Sequence, residues 1–466
     1  MFKAGSIFFL VFLFLPGLAH TQESIVLEEI KLTGDSRLKL HVVQLKSGIY
    51  QGDTLAKDKI KLHLDAAAKE LSDMRILDSV SWQLSGPDRQ KILTWYLKKS
   101  INFFFVPYVE AADRDINVWL DRFDAAPERL NYGGLVYLFN LFGHNDVLDL
   151  TLTTGFNQDY ELFYFLPNID KEGKWSGLVK TEYQAFQDIA FLTIDNKEVF
   201  AGLDDRGSLF KQWTGKIGLQ YRLKSRQWVE GSFAFSHRSM DRALYKLNSY
   251  FLNSGRQIEQ EYRFGLRHIA DTRDNRRFPT SGYRCETLLQ YAFYTGEAND
   301  VLEGLLRANY YVKLDQLGLL ALGMRGRMQM LQNPYGYRFS RAIGFDDRIV
   351  RGYELYSVPA ANYWLLKADY RYPFWNMEPF LNKLSKRAGV NRDIPVLWYF
   401  NAFADMARAY RDYQNHHEND LVGPLLSGAG VGIDVLVFRR FLFSLQYSWN
   451  HLGESGVFVH FSFNRE

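Results

Sequence analysis

The amino-acid sequence predicts a mainly β protein: a sixteen-stranded antiparallel transmembrane β-barrel preceded by one small α/β domain. Three observations carry that expectation. From about residue 130, apolar and polar residues alternate with period two over segments of about ten residues or more, the length a tilted membrane strand needs. Aromatic residues form 16% of the chain at a mean hydropathy of −0.25 and gather near strand ends, as in interfacial girdles. Upstream of that pattern, the first hundred residues carry strand and helix periodicities in the order of a compact α/β module.

The N-terminus reads as an export signal over residues 1–19. Lys3 precedes an apolar run from Ile7 to Leu15, and Pro16-Gly17-Leu18-Ala19 supplies small residues before a cut after Ala19. The run is too short to span a bilayer as a helix. His20 and Thr21 follow it, so no cysteine offers a site for a lipid anchor.

The small domain is expected over 22–105. Ile25–Leu32 is strand-like and ends at Gly34-Asp35, and Arg37–Leu45 is a short helix candidate. Asp53 is placed to cap a longer helix in which Ile60, Leu64, Ala67, Leu71 and Met74 recur at helical spacing. Strands at about Ile76–Leu84 and Ile92–Leu97 follow, parted by Gly86-Pro87.

The barrel is expected over 106–466. Ile217, Leu219, Tyr221 and Leu223 share one face of a strand whose other face carries Lys216, Gln220, Arg222 and Lys224. Phe441, Phe443, Leu445, Tyr447 and Trp449 likewise oppose Ser444, Gln446, Ser448 and Asn450. A soluble sandwich also alternates. Strand length, the aromatic ends and arginines on the polar face favour a barrel with a watery lumen. Eight candidate strands precede Asp271, three lie between Ser281 and Leu331, and five follow Asn362; one of the eight is assumed within 188–212. An even total fits single-chain bacterial barrels.

Composition excludes several functions. A net charge of +3 gives no electrostatic footprint for nucleic acid. Cys285 is the single cysteine, so no intrachain disulfide forms. HExxH, CxxC and GxSxG are absent, and no catalytic, cofactor-binding or metal site is expected. Gly428-Ala-Gly430-Val-Gly432 precedes no helix pattern and reads as lean barrel strand. His416-His417-Glu418, three adjacent residues in a polar loop, make a poor metal cage.

Two motifs remain. Asp271-Thr-Arg273-Asp274-Asn-Arg-Arg-Phe-Pro279-Thr-Ser-Gly282-Tyr283 is a turn by composition, because Pro279 fixes one backbone angle and Gly282 permits an unusual one. Val350-Arg351-Gly352-Tyr353 lies in a long connection, 332–360, too charged for a buried strand. Together, in this order, they resemble the DTRDNxxFPTxGY turn and the VRGF/Y loop of the BamA/TamA superfamily of outer-membrane assembly proteins. Asn131-Tyr132-Gly133 through Asn145 resembles that family's first hairpin, and Glu454–Phe463 its C-terminal targeting strand, although Asn464-Arg465-Glu466 follow the final aromatic.

The resemblance implies an outer-membrane protein whose first module, β-α-α-β-β in order, is a periplasmic polypeptide-transport-associated (POTRA) domain. It implies insertion or translocation of unfolded outer-membrane or secreted clients, with lipids, periplasmic chaperones or accessory proteins as partners. Loop 332–360 would be extracellular and fold back into the barrel. There Arg351 would meet Asp369 and Asp405, the latter in a variant of the FxDxG strand motif with Ala407 for its glycine, beside Gly352 and Tyr353. A lateral seam is expected between a first strand at about 131–140, with Tyr132 and Val136, and a last strand carrying Val457, Val459, Phe461 and Phe463. The alternative is a dedicated secretion transporter or plug-gated pore.

Overall fold

A computed structural model describes residues 24–34, 37–74, 76–202, 207–276, 278–295, 299–314, 318–331, 336–387, 395–410, 419–438 and 441–463. The export signal at 1–19, the cluster at 416–418 and the final three residues lie outside them. The chain divides into two compact units, Met1–Ser100 and Ile101–Glu466.

The first unit is a four-stranded sheet under two helices. Its elements are β1 (Ser24–Gly34), α1 (Leu40–Ser47), β2 (Thr54–Ala56), α2 (Ile60–Ser72), β3 (Leu77–Ser85) and β4 (Gln90–Lys99). The strand order is β2-β1-β4-β3, with β1 parallel to β4. Ile60, Leu64, Ala67 and Leu71 form the buried stripe of α2, and Leu27, Leu93 and Trp95 are buried in the same unit. Asp53 does not cap that helix: it accepts from Tyr50 N at 2.7 Å, and Lys59 stands at the N-cap without a side-chain bond. Its carboxylate serves the tighter turn next to it in sequence.

The second unit is one sixteen-stranded sheet, curled into a barrel. It begins with β5 (Phe103–Ala111), β6 (Leu130–Phe139), β7 (Val147–Gly155), β8 (Asn157–Leu166) and β9 (Trp175–Phe186). A separate hairpin, β10 (Ala190–Ile194) with β11 (Lys197–Phe200), interrupts the series. The barrel continues through β12 (Phe210–Lys224), β13 (Gln227–Met240), β14 (Ile258–Asp271), β15 (Gly282–Tyr294), β16 (Val301–Lys313) and β17 (Leu319–Gln329). A short pair, β18 (Arg341–Ile343) and β19 (Val358–Pro359), sits inside the long loop. β20 (Asn362–Asn376), β21 (Val396–Tyr410), β22 (Leu425–Val437), β23 (Phe441–Asn450) and β24 (Ser455–Phe463) complete the sheet. Every barrel strand pairs antiparallel with its neighbour along the chain, and β5 and β24 are the two ends of the order.

Sixteen is the expected number, reached by a different route. The strand assumed within 188–212 is not a barrel strand; most of that stretch is the β10–β11 hairpin and its flanks. The remaining strand is β5, ahead of the region where alternation becomes regular. Phe103-Phe104-Phe105 and Pro107 break period two there, so the sequence pattern alone hides it. Ile217, Leu219, Phe443, Leu445 and Tyr447 are all exposed, forming the outward apolar band a lipid-facing barrel wall requires.

Candidate functional site: the long loop and the barrel edges

Loop 336–361 lies against the inner wall of β20, β21 and β22. Val350, Tyr353 and Val358 pack with Tyr363, Leu365, Ala407 and Leu426 in one buried cluster. Alternation explains the wall: Lys367, Asp369 and Arg371 share one face of β20, and Asp405 faces the same side from β21, opposite Lys367.

Arg351 docks into this wall and is only 6% exposed. Its Nε donates to Asp405 Oδ2 at 2.8 Å, its Nη2 to Asp405 Oδ1 and its Nη1 to Asp369 Oδ1. The Arg351 backbone N–H donates to Asp405 Oδ2 at 3.0 Å, and the guanidinium lies 4.0 Å from the centre of the Phe403 ring. A planar fork matched to a carboxylate is the geometry only arginine supplies. Burial acts against its charge, but Asp369 and Asp405 outweigh that and raise its pKa above the ordinary arginine value. The group is a cation at every working pH.

Small residues make the fit possible. Gly352 has φ +93°, a left-handed conformation, and a Cβ there would meet Trp449 O at 3.1 Å. A Cβ on Gly428 would stand 1.8 Å from the carbonyl oxygen of Arg351. The glycines of 428–432 are therefore lean strand, as the sequence suggests, and the first of them is where the loop backbone lies against β22.

The loop also grips the last hairpin. Asn450 Nδ2 donates to Gly352 O at 2.7 Å, Tyr353 hydroxyl bonds His451 Nδ1, and Tyr356 hydroxyl donates to Glu454 Oε1 at 2.7 Å. Burial, the main cause, pushes the Tyr353 phenol up to about 12, so it stays neutral. On the other flank Asp347 pairs with Arg325 of β17 at 2.7 Å and Arg307 of β16 at 2.9 Å. Sequence reasoning missed Asp347; the signal was the unexplained carboxylate pair Asp346-Asp347 just before the motif.

The turn after β14 is tied together by its own side chains. Asp274 Oδ1 accepts from the N–H groups of Asn275, Thr280 and Ser281, while its Oδ2 accepts from the Thr280 hydroxyl. Arg273 forks onto Asp271 at 2.9 and 2.8 Å. Gly282, at φ +93°, passes so close that a Cβ would meet Thr272 O at 2.5 Å, and Pro279 is buried beneath the turn. Slight burial works against the Asp274 charge, but these hydrogen bonds prevail and hold its carboxyl at about 2. A depressed carboxylate stabilises fully above its unfolded pKa, about 3.9, and the contribution disappears as pH falls through the folded value. Asp274→Asn should therefore lower the unfolding temperature at pH 7, and the gap to the parent should close as pH drops from about 4 towards 2.

The seam needs a correction. Tyr132 and Val136 are not on a barrel edge: they lie in β6, paired on one side with Val109 and Phe105 of β5 and on the other with Thr154 and Leu150 of β7. The first edge strand is β5. Val457, Val459 and Phe461 lie on the other edge strand, β24, whose last residue is Phe463; the first three are paired with Tyr447, Leu445 and Phe443 on one side only. Among the described residues the sheet order places no ladder between β5 and β24. Helix α3 (Ile116–Arg122), in the β5–β6 connection, reaches β24 instead. There Asn117 Nδ2 donates to Val459 O and Val459 N donates to Asn117 Oδ1, both at 2.9 Å.

Residues 140–449 match the Omp85 superfamily domain. This chain belongs to the Omp85 superfamily. Omp85 barrels are outer-membrane proteins that act on polypeptide clients, and here the barrel sheet follows a small α/β unit in sequence. Its fold is similar to that of BamA from Haemophilus ducreyi lacking POTRA domains 1–3, with a TM-score of 0.62 at 12% identity over 94% of this chain and 83% of that one. CdiB from Acinetobacter baumannii follows at a TM-score of 0.54 and 12% identity, over 94% of this chain and 73% of that one. CdiB from Escherichia coli gives 0.50 and 10% identity, over 96% and 92%. No curated protein matches the sequence. Among the described residues no group of three or more His, Cys, Asp or Glu is placed to hold a metal ion, and no helix is long and apolar enough to cross a membrane.

Proposed function

We propose that this Omp85 protein inserts or translocates other polypeptides at the outer membrane, without enzymatic chemistry, through the seam between β5 and β24. The observation that carries this reading is the sheet order, in which the two terminal strands have no ladder between them among the described residues. A barrel normally satisfies its backbone in lipid by closing. Leaving two edges unpaired has a use where another strand is to be taken up.

The small unit then acts as a POTRA domain in the periplasm, following an export signal at 1–19. Its β3 stands at one end of the sheet order and could receive an incoming chain by strand addition. Arg351, Gly352 and Tyr353 with Asp369 and Asp405 serve as a latch that keeps the extracellular loop inside the barrel.

A second reading rests on that same loop. Held within the lumen by Arg351, it is placed like a plug, and the protein would be a secretion transporter or gated pore. Stapling the seam separates the two. In a Cys285→Ser background, cysteine pairs scanned between 105–109 of β5 and 457–461 of β24 should bridge where Cα atoms approach within about 7 Å. Oxidation is expected to stop insertion of a barrel client into vesicles, and a reducing agent to restore it. Full activity in completely cross-linked protein would sink the seam mechanism and leave the lumen as the route.

A further inference from the structure

One cavity of the barrel unit serves neither the latch nor the edges. It measures about 500 Å3 and lies between the long loop, the β10–β11 hairpin and the β5–β6 connection, against the inner wall of β14 to β17. Phe186, Phe339 and Phe345 line it beside a set of arginines, most of which the protein's own acceptors satisfy. Arg129 pairs with Asp113 at 2.7 Å and Asp188 at 3.0 Å, Arg348 with Asp346 at 2.8 Å, and Arg114 with Glu198 at 3.0 Å. Arg327 donates to the carbonyls of Phe339, Ala360 and Ala361.

Two arginines of the lining are left over. Tyr337–Phe339 is a single 3-10 turn, held by Tyr337 N donating to Tyr250 O and Arg338 N to Phe251 O, both at 3.0 Å. The Arg338 guanidinium stands 5.5 Å from the ring centres of Phe186 and Phe210. Among the described residues its side chain makes no hydrogen bond and no ion pair. Burial first, and then the like charges of Arg341 and Arg238, lower its pKa from the ordinary arginine value. Arg341 lies over the Phe345 ring at 5.0 Å, on the same cavity wall. Its Nη2 is 4.0 Å from Glu198, which Arg114 already holds, and its Nε is buried with no hydrogen-bond partner among the described residues.

A cation withdrawn from bulk water is costly unless it is paired. Water satisfies such donors but leaves two like charges unopposed, whereas an anion answers both needs. The planar arginine fork matches phosphate oxygens, and the flanking rings restrict the plane of Arg338. We infer that this cavity binds a phosphate group, as the free ion or on a small molecule, between Arg338 and Arg341. Its volume and phenylalanine walls leave room for an apolar body behind the phosphate. The site is separate from the seam and does not depend on the route a client takes.

The test is isothermal titration of the full-length protein in detergent with inorganic phosphate and, separately, with phenyl phosphate. Ionic strength is held constant with sodium chloride, and only variants that keep the heat-dependent gel shift of a folded barrel are compared. One saturable site per chain is expected. Arg338→Gln should weaken it roughly ten-fold, the loss expected when a hydrogen bond to a charged group goes. Arg341→Gln should do the same, so the result does not depend on one variant folding. Phosphate should also raise the unfolding temperature of the parent more than that of either variant. Tighter binding of phenyl phosphate assigns an ester with an apolar body, and equal or weaker binding assigns the free ion; either outcome upholds the site. No saturable binding of either probe to the parent overturns the inference, and so does binding that both glutamine variants leave unchanged.

Discussion

Arg351→Ala should lose about 3–5 kcal/mol of barrel stability, because it takes from two buried carboxylates their nearest cation and leaves Asp405 only Lys367, at 3.9 Å. Asp405 is 1% exposed and takes three hydrogen bonds from Arg351, counting the backbone N–H. Asp369 loses its shortest partner but keeps Arg371 at 3.9 Å, and residual hydration of the lumen favours the lower end of that range. The measurement is thermal unfolding in detergent, followed by loss of the heat-dependent gel shift. Arg351→Lys should recover only part, since an ammonium cannot fork onto Asp405. In the Asp405→Asn background the alanine change should cost less, because the carboxylate that loses its fork has gone. Unchanged unfolding in both single variants would mean that the loop is held by its apolar cluster and that the ion pairs are incidental.

Gly428→Val should have an effect of similar size from the other side of the same contact. Even the first added carbon lands 1.8 Å from Arg351 O, which is backbone and cannot rotate away. Either the loop lifts or β22 bends, and overpacking of this kind costs about 1–3 kcal/mol before any lost ion pair is counted. If the loop lifts, a protease should cut within 336–361 in the variant and not in the parent. Gly423→Ala, at a position where an added Cβ meets nothing within 4 Å but φ is +106°, should leave the loop protected even if it slightly lowers stability. Wild-type protection in Gly428→Val would show that β22 yields first.

What the sequence made legible was periodic or local. α2 was readable because its buried stripe follows a 3.6-residue period, and β12 and β23 because each alternates without a break. Arg351 with Asp369 and Asp405 was reached through motif resemblance, since nothing in the spacing of positions 351 and 405 says that they meet. β5 escaped because three consecutive phenylalanines and a proline carry no period, and its strand character comes from pairing with β6. The Asn117–Val459 bond joins residues 342 apart and involves a residue type common in any turn. Only the folded edge reveals it.

The grip of the loop on the last hairpin has a thermodynamic corollary. Residues 351–356 are fastened at one end to β20 and β21 and at the other to Asn450, His451 and Glu454, between β23 and β24. Loop and hairpin are thus linked equilibria, and coupling free energy is reciprocal. Whatever factor a seated loop adds against displacement of β24, a ligand that holds β24 displaced must subtract from the seating of the loop. A ligand at the proposed seam that shifts β24 would therefore loosen the loop by the same factor. The protease-protection assay on 336–361, run with the β5–β24 staple oxidised and reduced, reads that coupling, and locking β24 should protect the loop further.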